Sequence, residues 1–250
     1  MFVVTPTSER HCAMPSAISN ATAPTILLIG ASRGLGHAMA AEFLSKGWNV
    51  VGTVRGGGRT RLHDLADAFA GRVEIEVLDI CAPDQLAALR DRLSGRVFDM
   101  LFVNAGVTNN PEETIADVTT DEFIRVMVTN ALSPMRVIES LAPCVSATGL
   151  LGVMSSGQGS VSNNETGLRE VYRGSKAALN MLMRSFAARH AATARAMVLM
   201  APGWVRTDMG GPDARLSIED SVPNLVNVLM AEQGKPGLQY LDYLGRVVPW

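Results

Sequence analysis

The sequence predicts a single α/β domain, a doubly wound parallel sheet of about seven strands with helices on both faces. Three observations carry this. Strand-like runs at 25–29, 48–54, 73–78, 99–103, 149–154, 195–200 and 238–241 alternate with helical patterns near 35–46, 60–70, 83–93, 120–142, 172–190 and 217–231. Strands separated by helix-length crossovers pair in parallel, with right-handed connections. A glycine-rich turn joins the first run to the first helix. A chain of 250 residues is long enough to bury one large core.

Thr25-Ile26-Leu27-Leu28-Ile29 is continuously apolar, as a strand buried on both faces requires. It runs into Gly30-Ala31-Ser32-Arg33-Gly34-Leu35-Gly36 and then the helical stretch from His37 to Lys46. Glycines there permit a tight turn and let the backbone approach a pyrophosphate, whose charge suits a helix N-terminus. The spacing is Gly-x-x-x-Gly-x-Gly rather than the commoner dinucleotide fingerprint. The position between strand and helix makes it a nucleotide site.

The second strand, Asn49 to Val54, is followed by Arg55, and no acid appears before Asp64. Val73 to Leu78 ends at Asp79-Ile80, and Met100-Leu101-Phe102-Val103 ends at Asn104-Ala105-Gly106. Asn130 lies in the long helical stretch 120–142, and Leu150 to Met154 leads into Ser155-Ser156. Tyr172-Arg173-Gly174-Ser175-Lys176 opens the next helix, which places a phenol and an ammonium one turn apart on the same face. A cation there favours the phenolate, and a shift of roughly three units corresponds to about 4 kcal/mol. The pair makes an acid/base couple for a carbonyl or a hydroxyl. Pro202-Gly203-Trp204-Val205-Arg206-Thr207 follows the sixth strand.

These motifs, in this order, resemble the short-chain dehydrogenase/reductase family from Thr25 to Trp250. The resemblance implies a single Rossmann-fold domain and a nicotinamide cofactor laid across the carboxyl ends of the strands. It implies Gly30, Ser32, Arg33, Gly34, Leu35 and Gly36 under the pyrophosphate, and Asp79 and Ile80 at the adenine. Asn104, Ala105 and Gly106 would border the cofactor, with Pro202, Gly203, Val205 and Thr207 around the nicotinamide. Tyr172 becomes the general acid/base, and Lys176 holds the nicotinamide ribose and lowers the tyrosine's pKa. Ser156, preferred to Ser155, holds the substrate oxygen, and Asn130 holds a water that relays protons from the lysine.

Within the family, Tyr172 to Asn180, Gly203 to Gly211 and Val247-Val248-Pro249-Trp250 are similar to the C-factor/sniffer branch. The longer spacing from Ser156 to Tyr172 also suits that branch, which includes carbonyl reductases and proteins with developmental signalling roles. NAD-preferring relatives end the second strand with an acid. Here Val54 stands in that place, Arg55 follows, and Arg33 sits where NADP-preferring relatives often carry a base. Two guanidiniums clamp a phosphate through charge-assisted hydrogen bonds, so NADP(H) is expected; Arg59 and Arg61 are further candidates. The expected reaction is hydride transfer between NADP(H) and a small or medium carbonyl or alcohol, beneath a short lid from Asp208 to Ser217. The rival reading is a cofactor-bound signalling or sensor protein of the C-factor type with slow or no turnover.

Composition agrees with an enzyme domain. Net charge is −2 and basic residues are dispersed apart from Arg55 to Arg61, so no nucleic-acid partner is indicated. Cys12, Cys81 and Cys144 are few and widely spaced, as for reduced thiols in a cytoplasmic protein. His11, His37, His63 and His190 lack ligand-like spacing, so no metal site is expected. No apolar run reaches the roughly 18 residues of a membrane span. Residues 1–24 mix Ser, Thr, Pro and Ala and read as a flexible extension of the domain at 25–250, within which Met14 is a second candidate start. In relatives the helices matching 120–142 and 172–190 pack between subunits, so a homodimer or homotetramer is expected.

Overall fold

Seven parallel strands form one sheet in the order β3-β2-β1-β4-β5-β6-β7, in a computed structural model that describes residues 23–250. The strands are β1 (Thr25–Ile29), β2 (Asn49–Val54), β3 (Val73–Val77), β4 (Phe98–Val103), β5 (Val145–Met154), β6 (Ala196–Ala201) and β7 (Gly237–Asp242). The connecting helices are α1 (Gly34–Ser45), α2 (Arg61–Ala68), α3 (Pro83–Arg92), α4 (Thr120–Met127), α5 (Ser133–Leu141), α6 (Glu170–Arg189) and α7 (Ile218–Glu232). Residues 1–22, with Cys12, His11, Met14 and nearly all of the expected extension, lie outside the described residues.

Alternation along each strand divides the core between the two faces of the sheet. Ile26, Leu28, Met100 and Phe102 pack with Met39 and Phe43 of α1 and Leu225 of α7. Leu27, Ile29, Leu101 and Val103 pack with Leu89 of α3, Ile138 of α5 and Leu179 of α6. Because both faces are covered, these strands read as unbroken apolar runs. The chain winds outward from β1 through β2 to β3 and then returns to place β4 beside β1. That reversal opens a crevice beyond the carboxyl ends of β1 and β4, where a doubly wound sheet binds ligands.

The long helix expected over 120–142 is interrupted. Between α4 and α5 the segment Val128–Leu132 takes a π turn. Pro134 has no N–H to return to the Asn130 carbonyl, so a regular α-helix would lose a bond there. The wider turn brings Asn130 to the interior, fully buried. Such π turns recur at functional sites. Strand β5 also starts earlier than expected, at Val145 rather than 149, where a register shift against β4 between Phe98 and Met100 accommodates the extra residues.

Candidate active site

The turn after β1 is held by its neighbours rather than by its own residues. The Gly30 N–H donates to Thr53 Oγ1 at 2.9 Å, and Ala31 N–H donates to the Thr53 carbonyl at 2.8 Å. Asn104 Nδ2 donates to the Gly30 carbonyl at 2.8 Å, linking the turn to the end of β4. Gly36 lets α1 start this close: a Cβ there would lie 2.0 Å from the Gly30 oxygen and 2.6 Å from Asn104 Nδ2. No side chain caps α1, so its first N–H groups face the crevice uncovered.

The crevice is a cavity of about 490 Å³, and Gly30, Ser32, Arg33, Gly34 and Leu35 form one wall. Arg55, Asp79, Ile80, Asn104, Ala105 and Gly106 continue it, and Tyr172, Lys176, Pro202 and Thr207 close its inner end. A second cavity of about 260 Å³ adjoins it, lined by Ser156, Tyr172, Pro202, Gly203, Val205 and Thr207 among others. Gly36 does not line the crevice but seats the helix behind it.

Tyr172 and Lys176 emerge from the first turns of α6 on one face, with Lys176 Nζ 5.9 Å from the centre of the tyrosine ring. Both are buried. The Lys176 ammonium donates to the Met154 carbonyl at 2.9 Å. Burial pulls its pKa down to about 8, since a desolvated cation is disfavoured. The tyrosine differs from expectation. Burial pushes the Tyr172 phenol above its ordinary value, opposed by a hydrogen bond with the Ser156 side chain and by the charge of Arg169. The Lys176 ammonium is engaged with the Met154 carbonyl, and desolvation of the ring outweighs the Ser156 hydrogen bond and the Arg169 charge. At neutral pH the phenol is therefore protonated and equipped to donate.

The serine pair divides between two tasks. Ser155 Oγ donates to Asn180 Oδ1 at 2.6 Å and is buried. Ser156 Oγ accepts from Gln158 N–H at 3.1 Å and meets the Tyr172 phenol. The Ser156 carbonyl accepts from the Tyr240 hydroxyl, which ties the loop to β7. Asn130 uses both ends of its amide: Oδ1 accepts from Val107 N–H at 2.8 Å, and Nδ2 donates to the Val107 carbonyl at 2.8 Å and to Ser175 Oγ at 2.9 Å. It thereby holds the loop after β4 against α6. A Cβ on Gly106 would sit 3.3 Å from Asn130 Oδ1 and 3.5 Å from Lys176 Nζ.

The arginines are less free than expected. Arg33 and Arg55 line the crevice, but Arg33 is ion-paired with Asp208 of the lid. Arg59 is taken by Asp64 at 2.7 Å and Asp67 at 2.6 Å. The lid itself is tied down: Trp204 Nε1 donates to the Gly210 carbonyl at 2.7 Å, and Gly210 N–H donates to Thr207 Oγ1 at 3.1 Å. Sequence reasoning missed Thr53, Thr129, Gln158 and Arg169. Thr53 is legible as a polar residue in an otherwise apolar strand; Arg169 carries no sequence signal at all. Among the described residues no three His, Cys, Asp or Glu side chains gather as a metal site, and no helix is long and apolar enough to cross a membrane.

Known proteins share this fold. The family model described as short chain dehydrogenase matches residues 24–215. A short-chain dehydrogenase/reductase from Burkholderia multivorans, solved with bound NADP, is 67% identical; the match covers 91% of this chain and 100% of that one, with a TM-score of 0.90. The carbonyl reductase Sniffer of D. melanogaster is 26% identical over 91% of this chain and 100% of its own, with a TM-score of 0.85. The C-signal protein of Myxococcus xanthus is 38% identical over 154 residues, 61% of this chain and 92% of that protein. Sniffer and C-signal are the kinds of relative that the motifs at 172–180, 203–211 and 247–250 led us to expect. Glycine turn, Asn-Ala-Gly loop and Tyr-x-x-x-Lys helix thus stand together on one doubly wound sheet, and the chain belongs to the short-chain dehydrogenase family.

Proposed function

We propose that the protein is an NADP(H)-dependent carbonyl reductase for small or medium carbonyl compounds, with Tyr172 as general acid/base. The observation that carries this reading is the place of Tyr172, which lines both the 490 Å³ crevice and the 260 Å³ cleft and bonds to Ser156.

The residues present fit a dinucleotide phosphate. The uncapped N-terminus of α1 offers N–H groups and a positive dipole end to a pyrophosphate. Arg55 and Arg33 supply cations where a 2′-phosphate belongs, and no carboxylate ends β2. Asp79 and Ile80 line the crevice where the adenine would lie, and Lys176, beside Gly106, would hold the nicotinamide ribose. Pro202, Gly203, Val205 and Thr207 would border the nicotinamide. When bound, the nicotinamide supplies the hydride and takes it back in the reverse direction.

The chain's own residues position the carbonyl and handle its proton. Ser156 accepts from Gln158 N–H, which leaves its O–H to donate to the carbonyl oxygen as negative charge develops there. Tyr172 then delivers its phenolic proton to that oxygen, a role suited to a phenol kept protonated by burial. Lys176 is charged at pH 7 and stands behind the tyrosine to stabilise the phenolate left after transfer. Asn130 positions: it fixes the Val107 loop and Ser175, and its second carbonyl lone pair is the place left for a relay water. Nothing in the site favours the signalling reading, since Tyr172 meets Lys176 at the larger cavity and Ser156 at the smaller one, and Asn130 braces the loop beside them.

Titration with NADPH and with NADH, followed by nicotinamide fluorescence, tests the proposal. Tight NADPH binding with weak NADH binding is expected; failure to bind either would refute it. Subunit pairing through α4, α5 and α6 is proposed with it, supported by the exposure of Phe123, Ile124, Leu132, Met181 and Leu182. Sedimentation as a clean monomer at micromolar concentration would end that part.

A further inference from the structure

Among the described residues Arg169 is the only charged side chain lining the 260 Å³ cleft beside Tyr172. No described carboxylate lies within ion-pair distance of it. Its guanidinium carbon stands 5.2 Å from the centre of the Tyr172 ring, and Nη2 donates to Thr108 Oγ1 at 3.3 Å. Its Nε–H is buried with no acceptor. Gln158, which also lines the cleft, has a buried amide oxygen with no donor. Two buried polar atoms without partners, on two residues that line one small cleft, are unusual, because buried polar groups are nearly always satisfied.

The backbone adds a second, independent observation. Gly167, Leu168 and Arg169 take φ values of +66°, +55° and +56° in succession, just before α6. Leucine and arginine adopt this left-handed region at a cost, and such strain persists where function requires a side chain in one place. Here it turns Arg169 over the tyrosine instead of into solvent. The neighbouring Glu170 does not neutralise it, since that carboxylate accepts the N–H of Ile115.

We infer that Arg169 is a specificity-determining residue that selects carbonyl substrates bearing a carboxylate, the protein's preferred substrates being oxo acids rather than neutral ketones or aldehydes. This rests on the carbonyl reductase reading above. With the carbonyl oxygen at Tyr172 and Ser156, a carboxylate a few bonds away reaches the guanidinium at the side of the ring. The small cleft suits a short chain, and its remaining walls (Pro202, Val205, Met209) cover the methylenes between the two groups. The reaction is unchanged by this assignment: hydride and proton add across the C=O bond, NADPH becomes NADP+, and the carboxylate stays intact.

The test uses 4-oxopentanoate and 5-oxohexanoate with their methyl esters, where the distant carboxylate leaves carbonyl reactivity the same. With NADPH, kcat/KM for each acid should exceed that of its ester by about tenfold to a hundredfold, the range a charge-assisted hydrogen bond supplies. Arg169→Met should erase that ratio, and Arg169→Lys should keep part of it. A ratio near one in the unaltered protein, or a preference for the esters, would overturn the inference while leaving the reductase reading intact. Should neither acid nor ester be reduced, calorimetry on the protein saturated with NADP+ decides. Acid binding that exceeds ester binding and is lost in Arg169→Met upholds the anion site while refuting the reductase reading, and no acid binding refutes the site.

Discussion

Lys176→Met tests the electrostatics of the site most directly. The lysine is 4% exposed and its pKa falls from 10.5 to about 8 on burial. A depressed folded pKa means that stability is highest above the unfolded value and is lost as pH falls towards the folded one. Below about pH 8 the native state carries the whole penalty for a desolvated ammonium, about 3 kcal/mol by linkage. At pH 9.5 the native lysine is largely neutral while the unfolded one is still charged, so about 2 kcal/mol of that penalty has gone. Methionine fills similar volume without charge. Urea unfolding of both proteins without cofactor, at pH 6.5 and 9.5, should therefore show the variant's relative stability falling by about 2 kcal/mol as pH rises. The lost bond to Met154 offsets the comparison equally at both pH values. A difference that stays flat or grows would refute the reasoning and mean that Lys176 keeps its solution pKa. The same variant should lose reductase activity, which separates the lysine's functional value from its cost in stability.

Four further outcomes follow from the site. Tyr172→Phe should lower turnover at least a thousandfold while NADPH affinity, measured by fluorescence, changes only a few-fold; retained activity would remove Tyr172 from its role. Arg33→Ala combined with Arg55→Ala should weaken NADPH binding about thirty- to a hundredfold and leave NADH little changed. Asp208→Asn should act in the opposite direction by releasing Arg33, and equal losses for both cofactors in the double variant would refute the clamp. Asn130→Ala leaves the Val107 N–H and carbonyl without partners, so chemical denaturation should show a loss of about 2–5 kcal/mol. An unchanged unfolding midpoint would deny Asn130 its positioning task.

Much of this was legible in the chain because local sequence and fold agree. Apolar runs marked the central strands β1 and β4 to within a residue, since a strand covered on both faces must be apolar throughout. Glycines marked the turn because only a residue without Cβ fits at Gly36, where a Cβ would lie 2.0 Å from the Gly30 oxygen. The four-residue spacing of Tyr172 and Lys176 stated their shared helical face. Where a position depends on contacts distant in sequence, the chain was silent or misleading. The π turn at Val128–Leu132 follows from Pro134 acting together with the Asn130–Val107 bonds, a pairing across 23 residues. Arg33 reads as a free phosphate ligand until Asp208, 175 residues away, is brought beside it.

The sequence by itself determined the alternating sheet, the order of the motifs and the set of chemical groups delivered to the crevice. Those depend on periodicity and on residue type, both local. Only the tertiary structure decided the state of those groups. Burial, summed over neighbours from several elements, holds Tyr172 protonated and Lys176 near pH 8 against the simple expectation that the lysine would lower the tyrosine. It likewise decided that an otherwise anonymous arginine at the end of a left-handed turn lies over the tyrosine ring. Desolvation and partner geometry are properties of the assembled core, and no stretch of chain carries them alone.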